Sequence, residues 1–424
     1  MRVLLISANT ETISMVPLPL GLNCVALAAR NAGHEVELID LMSSADPRSV
    51  LSEATERFDP QVIGVSVRNV DNQNMKEPRF LLAGERNIVS LCRLYSDAPV
   101  VVGGAGFSIF PVAALRYLTA DMGVCGEGEV AFPMLLDTLE RGGDLSVIPG
   151  LCLPDQPVQQ GGAERAPLDR LPMPTPAFWH LPEMNEHDFW IPLQSRRGCP
   201  MKCSYCSTPA LEGTRIRKRT VETVVETIAR HVVLGFDRFY FVDNTFNFPP
   251  DYAKALCRGI ISAGLKIHWR CILYPAFLDR ELARLMAESG CDEVSLGFES
   301  GNGNVLHRLN KRFTPHQVRD TSGLLAERGI RRTGFLLLGG PGETRDSVME
   351  SLKFADSLKL EQLKLTQGIR IYPGTALERI AREEGVVCAE DDLLFPRFYL
   401  AQGLEKWLEK TITEWVADRP YCYS

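Results

Sequence analysis

Cys199-Pro200-Met201-Lys202-Cys203-Ser204-Tyr205-Cys206 decides how this 424-residue chain is read. It places three thiols within eight residues, directly after a short apolar run, Trp190 to Gln194, that reads as a β-strand. Three thiolates at this spacing can cap one face of an iron–sulfur cubane, whereas a closed structural zinc site requires a fourth Cys or His. None stands at a matching spacing: His180 and His187 precede the strand, and His231 falls in the next helical pattern. A cluster held by three thiolates leaves one iron open to a chemical ligand. The remaining cysteines (24, 92, 125, 152, 257, 271, 291, 388 and 422) are scattered, and a lone Cys in an apolar setting reads as a small core residue.

Composition narrows the function classes. With 46 basic and 53 acidic side chains the net charge is −7, so no basic surplus exists to release counterions from a nucleic acid. The 45% hydrophobic and 23% charged content suits a globular chain with a large core, and the length suits two or three domains. No run approaches the roughly 20 apolar residues of a membrane span. The best candidate, Thr12 to Ala29, is broken by Pro17, Pro19 and Asn23. Met1 to Ser7 is too short for a signal peptide and reads as a strand. A cytoplasmic, reducing location is therefore expected, with thiols serving metal or catalysis.

Around the cysteine triplet the chain divides into four parts. Residues 1–148 alternate apolar runs (Val3 to Ser7, Glu35 to Asp40, Val62 to Val67, Pro99 to Gly103, Asp121 to Cys125) with amphipathic segments, which predicts a doubly wound parallel sheet of Rossmann-like type. In such α/β sheets ligands bind beyond the carboxyl ends of the strands. There stand Gly103-Gly104-Ala105-Gly106 and Gly126-Glu127-Gly128-Glu129, either ligand-approach loops or plain tight turns, without the GxGxxG of a dinucleotide site. Residues 149–188 form a Pro-rich linker containing the polar run Gln159-Gln160-Gly161-Gly162. Residues 189–375 hold six further strand patterns: Trp190 to Gln194, Arg238 to Val242, Ile267 to Ile272, Glu293 to Phe298, Arg332 to Leu338 and Lys364 to Ile371. They predict a curved, partly closed parallel sheet, which the family resemblance given below implies is a (β/α)6 partial TIM barrel. Residues 376–424 read as a helical extension, with an amphipathic helix from Gly403 to Val416 acting as a packed lid.

The CxxxCxxC triplet with Tyr205 before its last cysteine, placed after the first barrel strand, resembles the radical S-adenosylmethionine (SAM) superfamily. Four later segments resemble it in the same order. Phe241-Val242-Asp243-Asn244-Thr245-Phe246 looks like the segment that contacts the SAM amino group. Ser295 to Gly301 looks like the ribose-binding strand, with Glu299 and Ser300 as hydroxyl partners. Gly339-Gly340-Pro341-Gly342-Glu343 and Ile371-Tyr372-Pro373-Gly374-Thr375 match the fifth and sixth strand ends. The resemblance implies a [4Fe–4S] cluster on Cys199, Cys203 and Cys206. It also implies SAM against Tyr205, Asp243, Asn244, Glu299, Ser300, Gly339, Pro341 and Ile371, with Tyr372 in the catalytic set.

Residues 1–148 resemble the cobalamin-binding domain of the B12-dependent branch, through Pro19-Leu20-Gly21-Leu22, Gly33-His34-Glu35-Val36, Asp40 and the two glycine loops. Ser66, Arg68, Asn69, Gly103, Gly104, Gly106, Gly126, Glu127 and Gly128 are then the expected cobalamin contacts. The DxHxxG motif that ligates cobalt from below is absent, the first strand running into Asn9-Thr10-Glu11. His34 lies before the second strand, at the opposite edge, and is read as structural. Arg68 cannot be deprotonated and so cannot ligate cobalt. It either lies beneath the corrin or pairs with Asp71 or a cofactor amide or phosphate.

In the activity this branch implies, the reduced cluster cleaves SAM to a 5′-deoxyadenosyl radical, and cobalamin carries a methyl group from a second SAM to a substrate carbon. A flavodoxin or ferredoxin is the expected electron donor, and a small-molecule or lipid-like compound the substrate. Radical rearrangement or cyclisation without methyl transfer is the alternative. A methylthiotransferase fits less well, because Cys24, Cys92 and Cys125 are too far apart for a second cluster, and a structural zinc scaffold lacks its fourth ligand. Cys271, Tyr274 and Arg370 are candidate substrate-facing residues, as are Phe395, Phe398 and Tyr399 for an apolar pocket.

Overall fold

The apolar runs at the start of the chain become strands buried on both faces, as parallel sheets require. β1 (Arg2–Ser7) is buried from Val3 onward. It is followed by β2 (Glu35–Asp40), β3 (Val62–Ser66), β4 (Val100–Gly103), β5 (Met122–Val124) and β6 (Leu151–Cys152). Their order in the sheet is β2-β1-β3-β4-β5-β6, and all pair in parallel except β6, which runs antiparallel to β5. β6 falls where the sequence predicts only irregular linker. Leu22, Ala26 and Ala29 of the helix Leu20–Asn31 pack with Phe132, Leu135 and Leu136 of the helix Gly128–Arg141 over one face of this sheet, at the spacing of a helical stripe.

The strand order reverses direction between β1 and β3. Such a switch point opens a crevice beyond the strand ends, where the loops diverge to opposite faces. Ser7 to Asn9 and Ser66 to Asn69 flank it.

The structure, a computed structural model, describes residues 1–11, 17–154, 156, 158–159, 166–179 and 189–423. Pro157, Gln160 to Gly162, His180, Pro182 and His187 lie outside them. The chain forms two compact units, one of Met1–Asn72 with Arg79–Phe189, the other of Gln73–Pro78 with Trp190–Ser424. The expected linker thus falls in the first unit and the expected C-terminal extension in the second. No helix among the described residues is long and apolar enough to cross a membrane.

In the second unit β7 (Ile191–Leu193), β8 (Arg196–Arg197), β9 (Arg217–Lys218), β10 (Arg238–Phe241), β11 (His268–Leu273), β12 (Cys291–Glu299), β13 (Arg331–Leu338) and β14 (Gln362–Gln367) follow one another. β15 (Ile369–Arg370), β16 (Phe398–Tyr399) and β17 (Cys422–Tyr423) complete the set. The main sheet runs β17-β14-β13-β12-β11-β10-β7, with parallel pairing throughout and unpaired edges at β17 and β7. It therefore carries the six expected strands plus a seventh from the tail. The expected strand Lys364 to Ile371 is broken at Gly368, whose φ of 69° turns the chain so that β15 pairs antiparallel with β16. Helices between the strands start at side-chain caps, among them Thr220, Asp279 and Thr314, which hold the strand-end loops in place.

Candidate functional site

The cysteine loop leaves β7 at the carboxyl edge of the barrel sheet, the edge where barrel active sites form. Its entry is fixed by Gly198, with φ of 95°, where a Cβ would stand 2.1 Å from the Arg215 carbonyl oxygen. The Gly198 N–H donates to the Glu212 carboxylate at 2.9 Å, and the Cys199 N–H to the Gly213 carbonyl at 3.0 Å. Further along, the Ser204 N–H donates to the Leu309 carbonyl at 3.0 Å, and its own carbonyl accepts from the Leu377 N–H at 2.8 Å. The loop is thus pinned by three separate elements, so the cysteines are placed before any metal arrives.

Two thiolates on one tetrahedral zinc stand about 3.8 Å apart. Among the described residues, the set whose three ligand atoms gather within 4.8 Å of one another is His34, Asp137 and Glu140, and the three cysteine sulfurs are not such a set. Burial pushes the thiols of Cys199 and Cys203 up, and the Lys311 ammonium opposes that rise at Cys203. A bound metal reverses this balance, since a coordinating thiol is deprotonated outright.

Beside the triplet lies a buried charge pair that the sequence did not reveal. The Tyr205 hydroxyl donates to Glu299 Oε1 at 2.9 Å, and Lys311 Nζ lies 3.0 Å from the same oxygen. Glu299 has φ of 59° at a register shift between β12 and β13, a bulge that re-aims its side chain. Gly297 makes room for it, because a Cβ there would stand 2.9 Å from Glu299 Oε1. Glu212 was also missed. Burial raises its pKa despite the Gly198 N–H and Arg197, and it accepts from Asn244 Nδ2 at 2.5 Å, which ties the second strand end to the cysteine loop.

Other expected SAM contacts likewise have polar groups engaged within the protein. Asp243 is fully buried and accepts from the Ser195 N–H, the Ser195 hydroxyl and the Arg196 N–H, with Arg196 Nε 3.3 Å away. It braces the strand that delivers the cysteines. Ser300 is fully buried, its hydroxyl 2.9 Å from that of Ser351 and accepting from the Asn302 N–H. The Gly339 N–H is taken by Glu343, and both backbone groups of Ile371 by Arg397 and Arg370. Pro341 is buried in the same loop. Tyr372 is half-buried, its ring centroid 5.2 Å from the Arg370 guanidinium.

The candidate substrate-facing residues fare similarly. Arg370 is 4% exposed and donates to the Ile371, Leu393 and Leu394 carbonyls, and Cys271 is fully buried beside Cys291. Tyr274 is 5% exposed, its hydroxyl accepting from the Arg312 N–H at 2.7 Å. Tyr399 is buried, whereas Phe395 is exposed and Phe398 half-buried.

In the first unit the loops after β3, β4 and β5 converge. A Cβ at Gly104, φ 103°, would stand 2.5 Å from the Val67 carbonyl oxygen, and one at Gly106 3.0 Å from that of Arg68. These glycines let the β4 loop lie directly on the β3 loop. A Cβ at Gly128 would stand 2.9 Å from the Val25 side chain, whereas one at Gly103 would make ordinary contact with the Val124 carbonyl oxygen, at 3.4 Å. Gly126 differs: its φ is 90°, its N–H donates to the Ser108 hydroxyl at 2.9 Å, and nothing lies within 4 Å of where its Cβ would be. It leaves open room for a ligand at the strand ends, near Glu127. Ser66 and Asn69 are half-buried and Arg68 exposed on the neighbouring loop, beside the switch point. His34 is buried at the opposite edge, with Nε2 3.4 Å from Asp137, in agreement with a structural role.

A three-cysteine strand-end loop on one α/β unit and an open-topped parallel sheet on the other define a class of protein, and comparison with known proteins agrees. Residues 6–136 match the B12 binding domain and residues 193–355 the Radical SAM superfamily. An uncharacterised methyltransferase of Pyrococcus horikoshii is 28% identical over 388 residues, covering 89% of this chain and 82% of that one. The cytidylyl-2-hydroxyethylphosphonate methyltransferase of Streptomyces wedmorensis is 26% identical over 456 residues, covering 91% and 81%. The radical SAM methyltransferase TsrM from Kitasatospora setae, solved with tryptophan and aza-SAM, shares the fold with a TM-score of 0.89 at 24% identity, over 99% of this chain and 90% of that one. The chain belongs to the cobalamin-dependent radical SAM enzymes. Its cofactors are a [4Fe–4S] cluster, SAM and cobalamin.

Proposed function

We propose that the chain transfers a methyl group to an unactivated carbon of a small-molecule or lipid-like substrate. The observation that carries this reading is the pairing, in one chain, of a B12-binding unit with a three-cysteine radical SAM unit. Relatives named methyltransferases match it along about nine-tenths of its length. When bound, the cluster supplies an electron for SAM cleavage and cobalamin a carrier for the methyl group.

The chain's own residues hold and orient. Cys199, Cys203 and Cys206 hold the cluster. Glu299, aimed by the bulge and by Tyr205, faces SAM together with Asn244, and Tyr372 completes that edge. Ser66, Arg68, Asn69 and the glycine loops through Gly128 cradle cobalamin. Arg68, always charged, offers no lone pair to cobalt, and His34, the sole described histidine of this unit, stands at the far edge. Such a site acts by positioning and by excluding water more than by acid–base exchange. The reading includes a low-potential donor such as flavodoxin or ferredoxin, a reducing cytoplasm and no nucleic-acid partner, in keeping with a net charge of −7.

The test is anaerobic incubation with SAM labelled in its methyl group, a reductant and a small-molecule extract of the source cells. Label bound to carbon in a product supports the reading. A product formed with 5′-deoxyadenosine release but without label overturns it in favour of rearrangement or cyclisation.

A further inference from the structure

We propose that Lys311 sets the reduction potential of the cluster from beside Cys203, with Glu299 as its counter-charge. The proposal rests on the cofactor reading above. Lys311 is held where few lysines stay: its side chain is 6% exposed, with Nζ 3.0 Å from Glu299 Oε1. Three rings surround the ammonium, with centroids at 5.3 Å for Tyr205, 5.9 Å for Phe313 and 6.0 Å for Tyr274. Its charge reaches Cys203, where it opposes the rise that burial imposes on that thiol.

The backbone brings it there deliberately. The turn after the helix Gly303–Arg308 docks along the cysteine loop through Ser204 N–H to the Leu309 carbonyl, at 3.0 Å, and Asn310 Nδ2 to the Lys202 carbonyl, at 2.5 Å. Asn310 and Lys202 both take positive φ, 55° and 53°, so the two turns are shaped to each other. A salt bridge alone would need no such docking.

Iron–sulfur potentials follow net charge, hydrogen bonds to the sulfurs and solvent exposure. Reduction adds one negative charge to the cluster. A fixed ammonium beside the cysteine loop, screened little by water, favours that reduced state, and the Glu299 carboxylate opposes it. Lys311 ligates no iron in this account and acts on the cluster by its charge alone, as a positioning residue.

The experiment uses the full chain, reconstituted anaerobically, with iron counted and the cluster midpoint potential read by EPR-monitored redox titration without SAM. Lys311→Met should shift the midpoint to more negative potential at unchanged iron content, Lys311→Arg should stay near the parent, and Glu299→Gln should shift it to more positive potential. A Lys311→Met midpoint that is unmoved or more positive overturns the proposal. Should that variant fail to fold, an unmoved Glu299→Gln midpoint overturns it equally. Failure of the cofactor reading shows itself separately, as a parent chain that forms no cubane signal at all.

Discussion

Asp243 accepts the backbone N–H of Ser195 at 2.8 Å and its hydroxyl at 2.6 Å, so that one carboxylate holds the strand end from which the cysteine loop departs. Removing it strands Arg196, which is 2% exposed, without its counter-charge. Breaking a buried pair from one side costs about 3–5 kcal/mol. Asp243→Ala should therefore lower the melting temperature and reduce the iron retained after reconstitution, both measurable on one preparation. Normal iron retention with normal stability would show that the brace is not needed.

The three cysteines and the B12-type unit should be separable. Replacing Cys199, Cys203 and Cys206 together by alanine should abolish cluster absorbance. Cobalamin uptake, read from its own visible spectrum, should stay at the parent level. Loss of both in a folded variant would contradict the assignment of cobalamin to the first unit.

Ser300 and Glu299 are neighbours with opposite fates. The Ser300 hydroxyl faces Ser351 inside the protein, and Glu299 is re-aimed by the bulge. Ser300→Ala should cost about 1 kcal/mol of stability and leave SAM affinity unchanged. Glu299→Gln should weaken SAM binding several-fold in equilibrium measurements. A large affinity loss in Ser300→Ala would contradict this and make Ser300 a cofactor contact.

Glu85 supplies a pH signature in the first unit. It is 4% exposed, and burial, with the charge of Glu11 adding, raises its pKa from an ordinary 4.5 to about 8. Between those values the folded chain keeps a proton that the unfolded chain has released, so its contribution to stability falls as pH rises through that window. Glu85→Gln should flatten the dependence, with a melting temperature that exceeds the parent's more at pH 8.5 than at pH 5. Parallel pH profiles for the two proteins would refute this.

How much of this was legible depended on range. Strands β1 to β5 announce themselves because a parallel strand buried on both faces is a nearly continuous apolar run, as in Val3 to Ile6. The cysteine triplet is equally plain, since its ligands are adjacent in sequence. β6 and β17 were missed because two-residue strands carry no pattern. The break of the sixth barrel strand turns on Gly368 alone, one glycine among 34. Motif matching placed Asp243, Ser300 and Ile371 at the right strand ends but could not tell which way their polar groups point. Lys311 and Glu212 acquire their meaning only through partners brought near by folding, Glu299 twelve residues away and Asn244 thirty-two. A local spacing rule has no access to either.

The most direct test of the two-cofactor account is the content of the full chain purified without oxygen and supplied with iron, sulfide and cobalamin. The account predicts about four irons and one cobalamin per chain, the irons lost with the three cysteines. Four irons with no cobalamin retained, or one zinc in place of the cluster, would contradict it.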